Sequence, residues 1–200
     1  MKRLGLTGGI ASGKSWVASQ LRELGFHVLD ADSLGHQLIE RGQSAYQSVV
    51  DEFGENILRP DRSVDRKKLG AVVFADHAKL AKLNSILHPR IEAAMDAQFF
   101  LWEKENSHDA VFVEAALLVE AGIHKRLDGL VVVYCRPEEQ IERLRARGLS
   151  EKEACHRIAL QLSNEEKLKY ATYKIDTSGT MQHTREQVAA LAEELRRHPV

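Results

Sequence analysis

The fold is decided near the N-terminus, where a short apolar run, Leu4-Gly5-Leu6-Thr7, leads into Gly8-Gly9-Ile10-Ala11-Ser12-Gly13-Lys14-Ser15. The second stretch matches the pattern G-x-x-x-x-G-K-[ST], with a strand predicted before it and a helix predicted after it. In such a loop the glycines let successive backbone N–H groups turn towards phosphate oxygens, and the helix directs the positive end of its dipole at the same anion. The sequence therefore predicts a phosphate-binding loop (P-loop) for a nucleoside triphosphate.

Each residue type in this loop has a defined use. Lys14 is long enough to reach the β- and γ-phosphates, and the Ser15 hydroxyl is a suitable Mg²⁺ ligand. ATP and Mg²⁺ are therefore the expected ligands. The alternative, a glycine-rich turn that binds nothing, is disfavoured because both the pattern and its strand–loop–helix context are complete. The residues expected to contact the nucleotide are Gly8, Gly9, Ala11, Ser12, Gly13, Lys14, Ser15 and Trp16.

Composition narrows the class of protein further. The 200 residues carry a formal net charge of −1, so no general attraction to nucleic acid or to an anionic membrane is expected. The apolar stretches are too short to span a membrane, and glycines interrupt the segment after Met1-Lys2-Arg3, which argues against a secretory signal. Cys135 and Cys155 lack metal or redox spacing and suggest reduced thiols. We therefore expect a cytoplasmic protein that binds neither nucleic acid nor membranes.

Apolar runs of strand length alternate with helical patterns along the chain. After the first run come four more, at residues 26–30, 110–115, 129–135 and 171–176. This alternation is typical of an α/β fold, and we expect a three-layer doubly wound sheet of about five parallel strands. Helix-rich stretches follow the second and the fourth strands. The first of these is longer than a crossover connection requires, and it predicts a helical insert beside the sheet.

Helix boundaries can be read from caps and prolines. Pro89 is expected in the first turn of a helix, because that position tolerates a missing N–H. Ser150 with Glu153, and Ser163 with Glu166, have capping-box spacing and predict two further helix starts. The apolar residues at helical spacing are Leu34, Leu38, Tyr46, Val49, Val50, Phe53, Leu80, Leu83, Leu87, Ile91, Met95, Phe99 and Trp102 in the insert, and Val188, Leu191 and Leu195 in a last helix.

A carboxylate at the end of the second predicted strand is the candidate base. Asp30-Ala31-Asp32 comes where that strand ends, and open α/β sheets bind ligands beyond the carboxyl ends of their strands. Asp32 would accept a proton from an attacking hydroxyl, as the base does in kinases. The alternative is that one of these aspartates only caps the helix that begins near Leu34.

Four other charged or polar residues are weaker candidates. Arg143 and Arg147 are four apart on a predicted helix and would share a face, from which they could neutralise charge on a transferring phosphoryl group. A solvated helix face explains the same spacing equally well. Glu114 ends the third predicted strand and is either a second-shell partner of Mg²⁺ or simply a strand-closing carboxylate. His88 either caps the long helix or reaches towards the substrate.

Taken together, these residues resemble the dephospho-coenzyme A kinase family over nearly the whole chain. A P-loop alone is shared by many kinases, whereas its combination with an early Asp-Ala-Asp and a later His-Pro is far more specific. The matching stretches are residues 6–15, Asp30-Ala31-Asp32, Leu87-His88-Pro89, Leu117-Leu118-Val119-Glu120, Gln140 with Arg143 and Arg147, Gln161 with Glu165-Glu166-Lys167, and Ile175-Asp176 with Ser178-Gly179.

The resemblance implies one P-loop kinase domain with three parts. These are a core at residues 1–32, 108–136 and 171–200, a helical coenzyme A-binding insert at 33–107, and a lid at 137–170. It also implies transfer of the γ-phosphoryl group of ATP to the ribose 3′-hydroxyl of dephospho-coenzyme A, the last step of coenzyme A biosynthesis.

The resemblance assigns roles to single residues as well. Asp32 matches the position of the family's base, and Arg143 and Arg147 match its lid arginines. The residues expected to bind the acceptor are Thr7, Asp32, His88 and Leu117. Rival hypotheses are a kinase of nucleoside monophosphates or of another small metabolite such as shikimate, and a non-catalytic ATP-sensing module. The long insert argues against the first rival, and the strand-end carboxylate with the paired arginines argues against the second.

Three positions depart from the family's pattern. Trp16 stands where a small hydroxyl residue is usual, and we expect it to change the packing beneath the loop. Ala116 replaces a proline found in many members, which predicts a less rigid turn. Thr177 replaces a common asparagine, which calls a contact with adenine into question. None of the three removes a group that phosphoryl transfer requires.

Overall fold

The computed structural model describes residues 1–105 and 110–197, and the chain divides into two units. Unit 1 comprises the described residues of Met1–Asp30 and Asn106–Val200, and unit 2 is Ala31–Glu105. The strands are β1 (Lys2–Thr7), β2 (His27–Asp30), β3 (Ala110–Glu114), β4 (Gly129–Tyr134) and β5 (Tyr173–Asp176). The α-helices are α1 (Lys14–Glu23), α2 (Ala31–Leu38), α3 (Tyr46–Phe53), α4 (Arg66–Phe74), α5 (His77–Glu105), α6 (Pro137–Ala146), α7 (Glu151–Ala159), α8 (Asn164–Leu168) and α9 (Met181–Arg197).

All five strands belong to one parallel sheet in the order β2-β3-β1-β4-β5, which confirms the predicted fold class. In its register, Glu114 lies beside Leu6 on one side and beside Asp30 on the other. The chain leaves β1 for the β2 edge of the sheet, whereas it leaves β3 for the opposite half. Doubly wound sheets bind ligands at the carboxyl ends of the strands where the direction reverses in this way, and the P-loop follows β1 at that point.

The core of unit 1 lies between the sheet and the helices α1 and α9. Both helices present apolar residues at helical spacing, so each buries one stripe against the strands. Phe26 and Phe112 pack edge to face inside this core, with ring centroids 5.6 Å apart. Side chains of this size each contribute about 1.5–3 kcal/mol when fully buried. The buried helix residues include Val17, Ala18, Leu21, Val188, Leu191 and Leu195, which confirms the prediction for the last helix.

The α6–α8 segment (Pro137–Leu168) packs on the P-loop. Leu144 of α6 and Ala154 of α7 form a small buried cluster with Ala11 of the loop. Ser150 forms the predicted capping box, with Glu153 as the reciprocal partner. Ser163 caps α8 by accepting a hydrogen bond from the Glu166 N–H at 3.2 Å. Both predicted helix starts are therefore confirmed.

Unit 2 has a core of its own, built by α2 to α5, a 3₁₀ turn at Glu55–Ile57 and the isolated bridge between Leu58 and Val64. The sequence pattern does not predict α4. Its start is marked by Asp65, whose side chain accepts from the N–H groups of Lys67 and Lys68. The apolar residues of this core are Ile39, Ala45, Val49, Val50, Ile57, Leu58, Val64, Leu69, Val73 and Leu83.

The prediction that Pro89 opens a helix is wrong. Pro89 lies inside α5, which runs without interruption from His77 to Glu105. Proline inside a helix removes one backbone hydrogen bond and crowds the preceding turn. Here the guanidinium of Arg90 donates to the carbonyl of Ile86 at 2.6 Å and so supplies a donor to that turn. His88 consequently lies within the helix and does not cap it.

Among the described helices, none combines the length and the apolar character that crossing a membrane requires.

Candidate nucleotide-binding site

Steric demands explain the glycines of the loop between β1 and α1. A Cβ atom on Gly8 would lie 2.2 Å from the carbonyl oxygen of Val133 in β4, so only glycine allows the loop to pass this close to the sheet. Gly13 has a φ of 90°, in the left-handed region that favours glycine. Contacts within the protein therefore determine the shape of the loop.

The helix α1 begins directly after the loop. Its N-cap residue, Gly13, offers no side chain to the first N–H groups, and its first turn contains no acidic residue. The positive end of the helix dipole is therefore not neutralised by the helix's own side chains. This is the arrangement that favours an anion at the helix start.

Lys14 is held by an ion pair. Its Nζ lies 2.8 Å from Oε1 of Glu114, whose other carboxylate oxygen lies 3.4 Å from Nη2 of Arg22. Glu114 is buried and Lys14 is only 13% exposed, so the two charges stabilise each other in a poorly solvated place. The sequence pattern points to each residue separately but does not predict this contact.

Arg143 and Arg147 do not have the same surroundings. The two terminal nitrogens of Arg143 donate to Ala11 O, to Oγ1 and O of Thr177, and to Glu139 at 2.7–3.2 Å. A hydrogen bond from Arg136 lowers the pKa of the Glu139 carboxyl, which keeps this acceptor ionised near neutral pH. Arg147 is the exposed C-cap residue of α6. Spacing predicted one shared face, whereas Arg143 is bound to the loop and Arg147 faces solvent.

The turn after β3 is fixed from two directions. Thr7 Oγ1 donates to Ala116 O at 3.1 Å, and Lys167 Nζ donates to the same oxygen at 2.8 Å. The flexibility expected from alanine in place of proline at this turn is therefore countered by two hydrogen bonds to its backbone. Leu117, the next residue, is 44% exposed, and the hydroxyl of Thr7 is used within the protein.

The remaining residues predicted to contact the nucleotide differ in their exposure to solvent. Ser15 is exposed at the start of α1, whereas Ser12 is buried. The indole of Trp16 packs against the core of unit 1, so its contact with a nucleotide stays a prediction. The sulfur of Cys135 lies 4.0 Å from Ala11 O, and burial raises the pKa of this thiol.

Asp32 and His88 belong to unit 2. Asp32 is exposed in the first turn of α2, two residues after the last residue of β2. His88 is half-buried within α5, and α2 packs on this helix where Gly35 faces Ile91. The roles predicted for both residues depend on their position in the sequence and on the resemblance.

For Mg²⁺, the described residues offer a hydroxyl ligand and no cage of carboxylates. Among the described residues, no three His, Cys, Asp or Glu side chains cluster as a metal cage. Mg²⁺ at nucleotide sites is normally held by few protein oxygens together with phosphate oxygens and water. The exposed hydroxyl of Ser15 fits that requirement, whereas Glu114 is already engaged by Lys14 and Arg22.

The side chains that support the loop are not evident from the local sequence pattern. Gln140 and Gln161 both bind the backbone of Ile10: Gln140 Nε2 donates to its O at 2.5 Å, and Gln161 Oε1 accepts from its N–H at 2.8 Å. Thr177 Oγ1 donates to Ser12 O at 2.5 Å. In the sequence, the two glutamines are only family markers, and Thr177 is only a departure from the family's pattern. Buried polar side chains on the segment that packs over the loop are the signal that would have pointed to them.

Comparison with known proteins agrees with this architecture. The family model of dephospho-CoA kinase (CoaE) matches residues 3–183. A dephospho-CoA kinase of Aquifex aeolicus (strain VF5) is 46% identical over 200 residues and covers 100% of both chains. The solved dephospho-CoA kinase from Campylobacter jejuni is 29% identical, with a TM-score of 0.73 and coverage of 98% of this chain and 97% of that one.

A shikimate kinase from Bacteroides thetaiotaomicron shares the fold at 14% identity, with a TM-score of 0.52 and coverage of 98% of each chain. That level of identity supports the common P-loop kinase architecture and nothing finer. The full-length relatives and the family match over residues 3–183 are far more specific. The chain therefore belongs to the dephospho-CoA kinase family.

Proposed function

We propose that this protein transfers the γ-phosphoryl group of ATP to the ribose 3′-hydroxyl of dephospho-coenzyme A, giving coenzyme A and ADP. The observation that carries the proposal is the family match over residues 3–183, which includes the complete P-loop. The loop geometry supports a triphosphate as donor, and the relatives support this acceptor.

Charge neutralisation is the main task in such a transfer, because negative charge is spread over the phosphoryl oxygens in the transition state. We assign Lys14 to the β- and γ-phosphates. The hydroxyl of Ser15 would hold Mg²⁺, which supplies positive charge to the phosphate oxygens when it is bound. The ion pair with Glu114 supports this assignment, because it keeps the ammonium group next to the loop.

Asp32 is assigned as the base that accepts the proton of the 3′-hydroxyl. Its position two residues after β2 and the family pattern support this role. Arg147 is assigned to the transferring phosphoryl group, since its exposed side chain has room to move. The contacts of Arg143 with the loop favour a different task, that of supporting the loop.

The helical insert and the α6–α8 segment are assigned roles in the same reaction. We propose that residues 33–107 bind the coenzyme A portion of the acceptor, with His88 among the contacts. Residues 137–170 would serve as a lid that excludes water during transfer, which prevents loss of the phosphoryl group to hydrolysis. A cytoplasmic location stays a prediction.

The test is a coupled assay of ADP release with Mg-ATP and four conditions: dephospho-coenzyme A, AMP, shikimate and no acceptor. ADP should form quickly only with dephospho-coenzyme A, and mass spectrometry should show one added phosphate in the product. Lys14→Ala should lower kcat/KM on the order of 10²–10³-fold, because it removes a charge that stabilises the transition state.

Each other outcome has a definite meaning. If AMP or shikimate is phosphorylated at least as fast as dephospho-coenzyme A, the proposed acceptor is wrong and the protein is a kinase with another specificity. Binding of Mg-ATP without turnover on any acceptor would favour an ATP sensor. Unchanged turnover in Lys14→Ala would exclude the P-loop as the phosphate site.

A further inference from the structure

We infer that Gln140, Arg143 and Thr177 are positioning residues that preorganise the P-loop by binding its outward-facing carbonyl groups. The inference rests on the proposed function only as far as nucleotide binding, and it does not depend on the identity of the acceptor. It also gives Arg143 a role different from that predicted by its spacing.

Three successive carbonyl oxygens in the middle of the loop each accept from one side chain outside it. The donor–acceptor pairs are Gln140 Nε2 with Ile10 O at 2.5 Å, Arg143 Nη1 with Ala11 O at 3.2 Å, and Thr177 Oγ1 with Ser12 O at 2.5 Å. These donors come from α6 and from the residue after β5. Two separate parts of unit 1 therefore hold the same three-residue stretch, Ile10 to Ser12.

The carbonyls on either side of this stretch are used by the backbone itself. Gly9 O accepts from Ser12 N at 3.0 Å. Gly13 O accepts from the N–H groups of Trp16 and Val17 at 3.1 and 3.2 Å, in the first turn of α1. Every carbonyl from Gly9 to Gly13 thus has a protein donor.

Holding the carbonyls also orients the amides. In a planar trans peptide the C=O and the following N–H point in opposite directions. When Ile10 O and Ser12 O bind outward, the N–H groups of Ala11 and Gly13 must point towards the inside of the loop. Inward N–H groups are what a phosphate requires of this loop.

The conformation of Ala11 shows that the loop needs such support. Ala11 has a φ of 60°, in the left-handed region that residues with a Cβ atom rarely adopt. Its own carbonyl is the one bound by Arg143. A charged donor gives a stronger hydrogen bond than a neutral one, so it is suited to hold a strained peptide in place.

Thr177 is the most informative member of the group. Its hydroxyl donates to Ser12 O and accepts from Arg143 Nη1 at 3.0 Å, so one oxygen connects two of the three supports. Its side chain is 7% exposed and also lies where a Cβ atom on Gly13 would come within 3.2 Å. A substitution that removes the hydroxyl and keeps the side-chain shape therefore measures the effect of the hydrogen bonds separately from that of packing.

The experiment compares Thr177→Val with Thr177→Ser by isothermal titration with Mg-ADP and by steady-state kinetics. Valine keeps the volume and loses the hydroxyl together with its hydrogen bonds to Ser12 and Arg143, so the Kd for Mg-ADP should rise about tenfold. The KM for ATP should rise with it, while kcat changes less than threefold. Serine restores the hydroxyl and should bring the Kd back to within threefold of wild type.

A core variant provides the matched control. Val188→Ala removes buried volume from α9, far along the chain from the loop, and should lower Tm without changing the Kd. Gln140→Met serves as a second test of the supports if Thr177→Val does not fold, and it should also weaken Mg-ADP binding.

The inference is overturned if Thr177→Val binds Mg-ADP as wild type does, if serine fails to rescue it, or if Val188→Ala weakens binding equally. Wild-type protein without affinity for Mg-ADP would overturn both this inference and the proposed function. Normal Mg-ADP binding with no turnover of dephospho-coenzyme A would defeat the proposed acceptor alone.

Discussion

At the scale of single residues, Lys14 and Asp32 carry the two charges that the proposed chemistry needs. Lys14 is mostly buried and paired with Glu114. A buried ammonium group without a partner would be costly, so the ion pair with Glu114 holds the Lys14 side chain close to the loop. Asp32 is instead exposed at the start of α2.

Asp32→Asn should lower kcat by about 10²–10⁴-fold, because asparagine cannot accept the proton of the attacking hydroxyl. Asparagine has nearly the same size, so the Kd for Mg-ATP should stay within threefold of wild type. Rapid-quench measurement of phosphoryl transfer, together with titration of Mg-ATP, separates these two effects.

Asp51→Asn is the matched control for this change. Asp51 is exposed on α3 in the same unit and accepts a hydrogen bond from Gln47 at 2.7 Å, which asparagine can also accept. Its kcat should equal that of wild type. Normal turnover by Asp32→Asn would remove the base assignment.

At the scale of one element, α5 shows how a proline is accommodated inside a 29-residue helix. The helix loses the hydrogen bond that residue 89 would donate. Arg90 reinforces this region, because its guanidinium donates to Ile86 O, to Ser48 Oγ at 2.9 Å and to Ser44 O at 3.0 Å. One side chain thus connects the turn before the proline with α3 and the residues that precede it.

Arg90→Met should lower the free energy of unfolding by about 2 kcal/mol, since it leaves several acceptors without their donor while keeping most of the aliphatic stem. Urea denaturation followed by circular dichroism measures the change. Lys82→Met is the control on the same helix. Lys82 forms an exposed ion pair with Glu52 at 3.6 Å, and its loss should cost less than about 1 kcal/mol. Equal effects of the two variants would contradict the role given to Arg90.

At the scale of the whole molecule, an ion pair between Lys167 and Glu120 joins the α6–α8 segment to the turn after β3. Lys167 in α8 is 0% exposed, and its Nζ contacts both oxygens of Glu120 at 2.7 and 2.9 Å. Glu120 also accepts from Leu162 N at 3.0 Å. With Gln161 bound to the loop, this end of the segment is attached both to the P-loop and to the turn after β3.

Lys167→Met should reduce the stability of the protein by about 2 kcal/mol, because it leaves Ala116 O and the Glu120 carboxylate without the donor that Lys167 supplies. The double variant Lys167→Met/Glu120→Gln should lose less than the sum of the two single variants. Lys169→Met, an exposed position just after α8, should change stability by less than about 0.5 kcal/mol. Thermal and urea denaturation of all four variants measure these losses of stability. If the losses of the two single variants add up to that of the double variant, the ion pair does not stabilise the protein.

Much of this molecule was determined by the local sequence. The five strands, the P-loop between β1 and α1, and the helix starts at Ser150 and Ser163 depend on patterns within a few residues, and the structure confirms them. Such features depend on backbone preferences and on short hydrogen bonds, which a single stretch of chain contains in full.

Only the tertiary structure decided which side chains support the loop. Ser12 and Thr177 are 165 positions apart, and Ala11 and Arg143 are 132 apart, so no local pattern relates them. Their contacts exist because parallel strands bring distant chain ends to one edge of the sheet, where the α6–α8 segment packs on the loop. For the same reason, the partner of Lys14 became clear only from the neighbouring strand, since the register of a sheet is a property of two segments together.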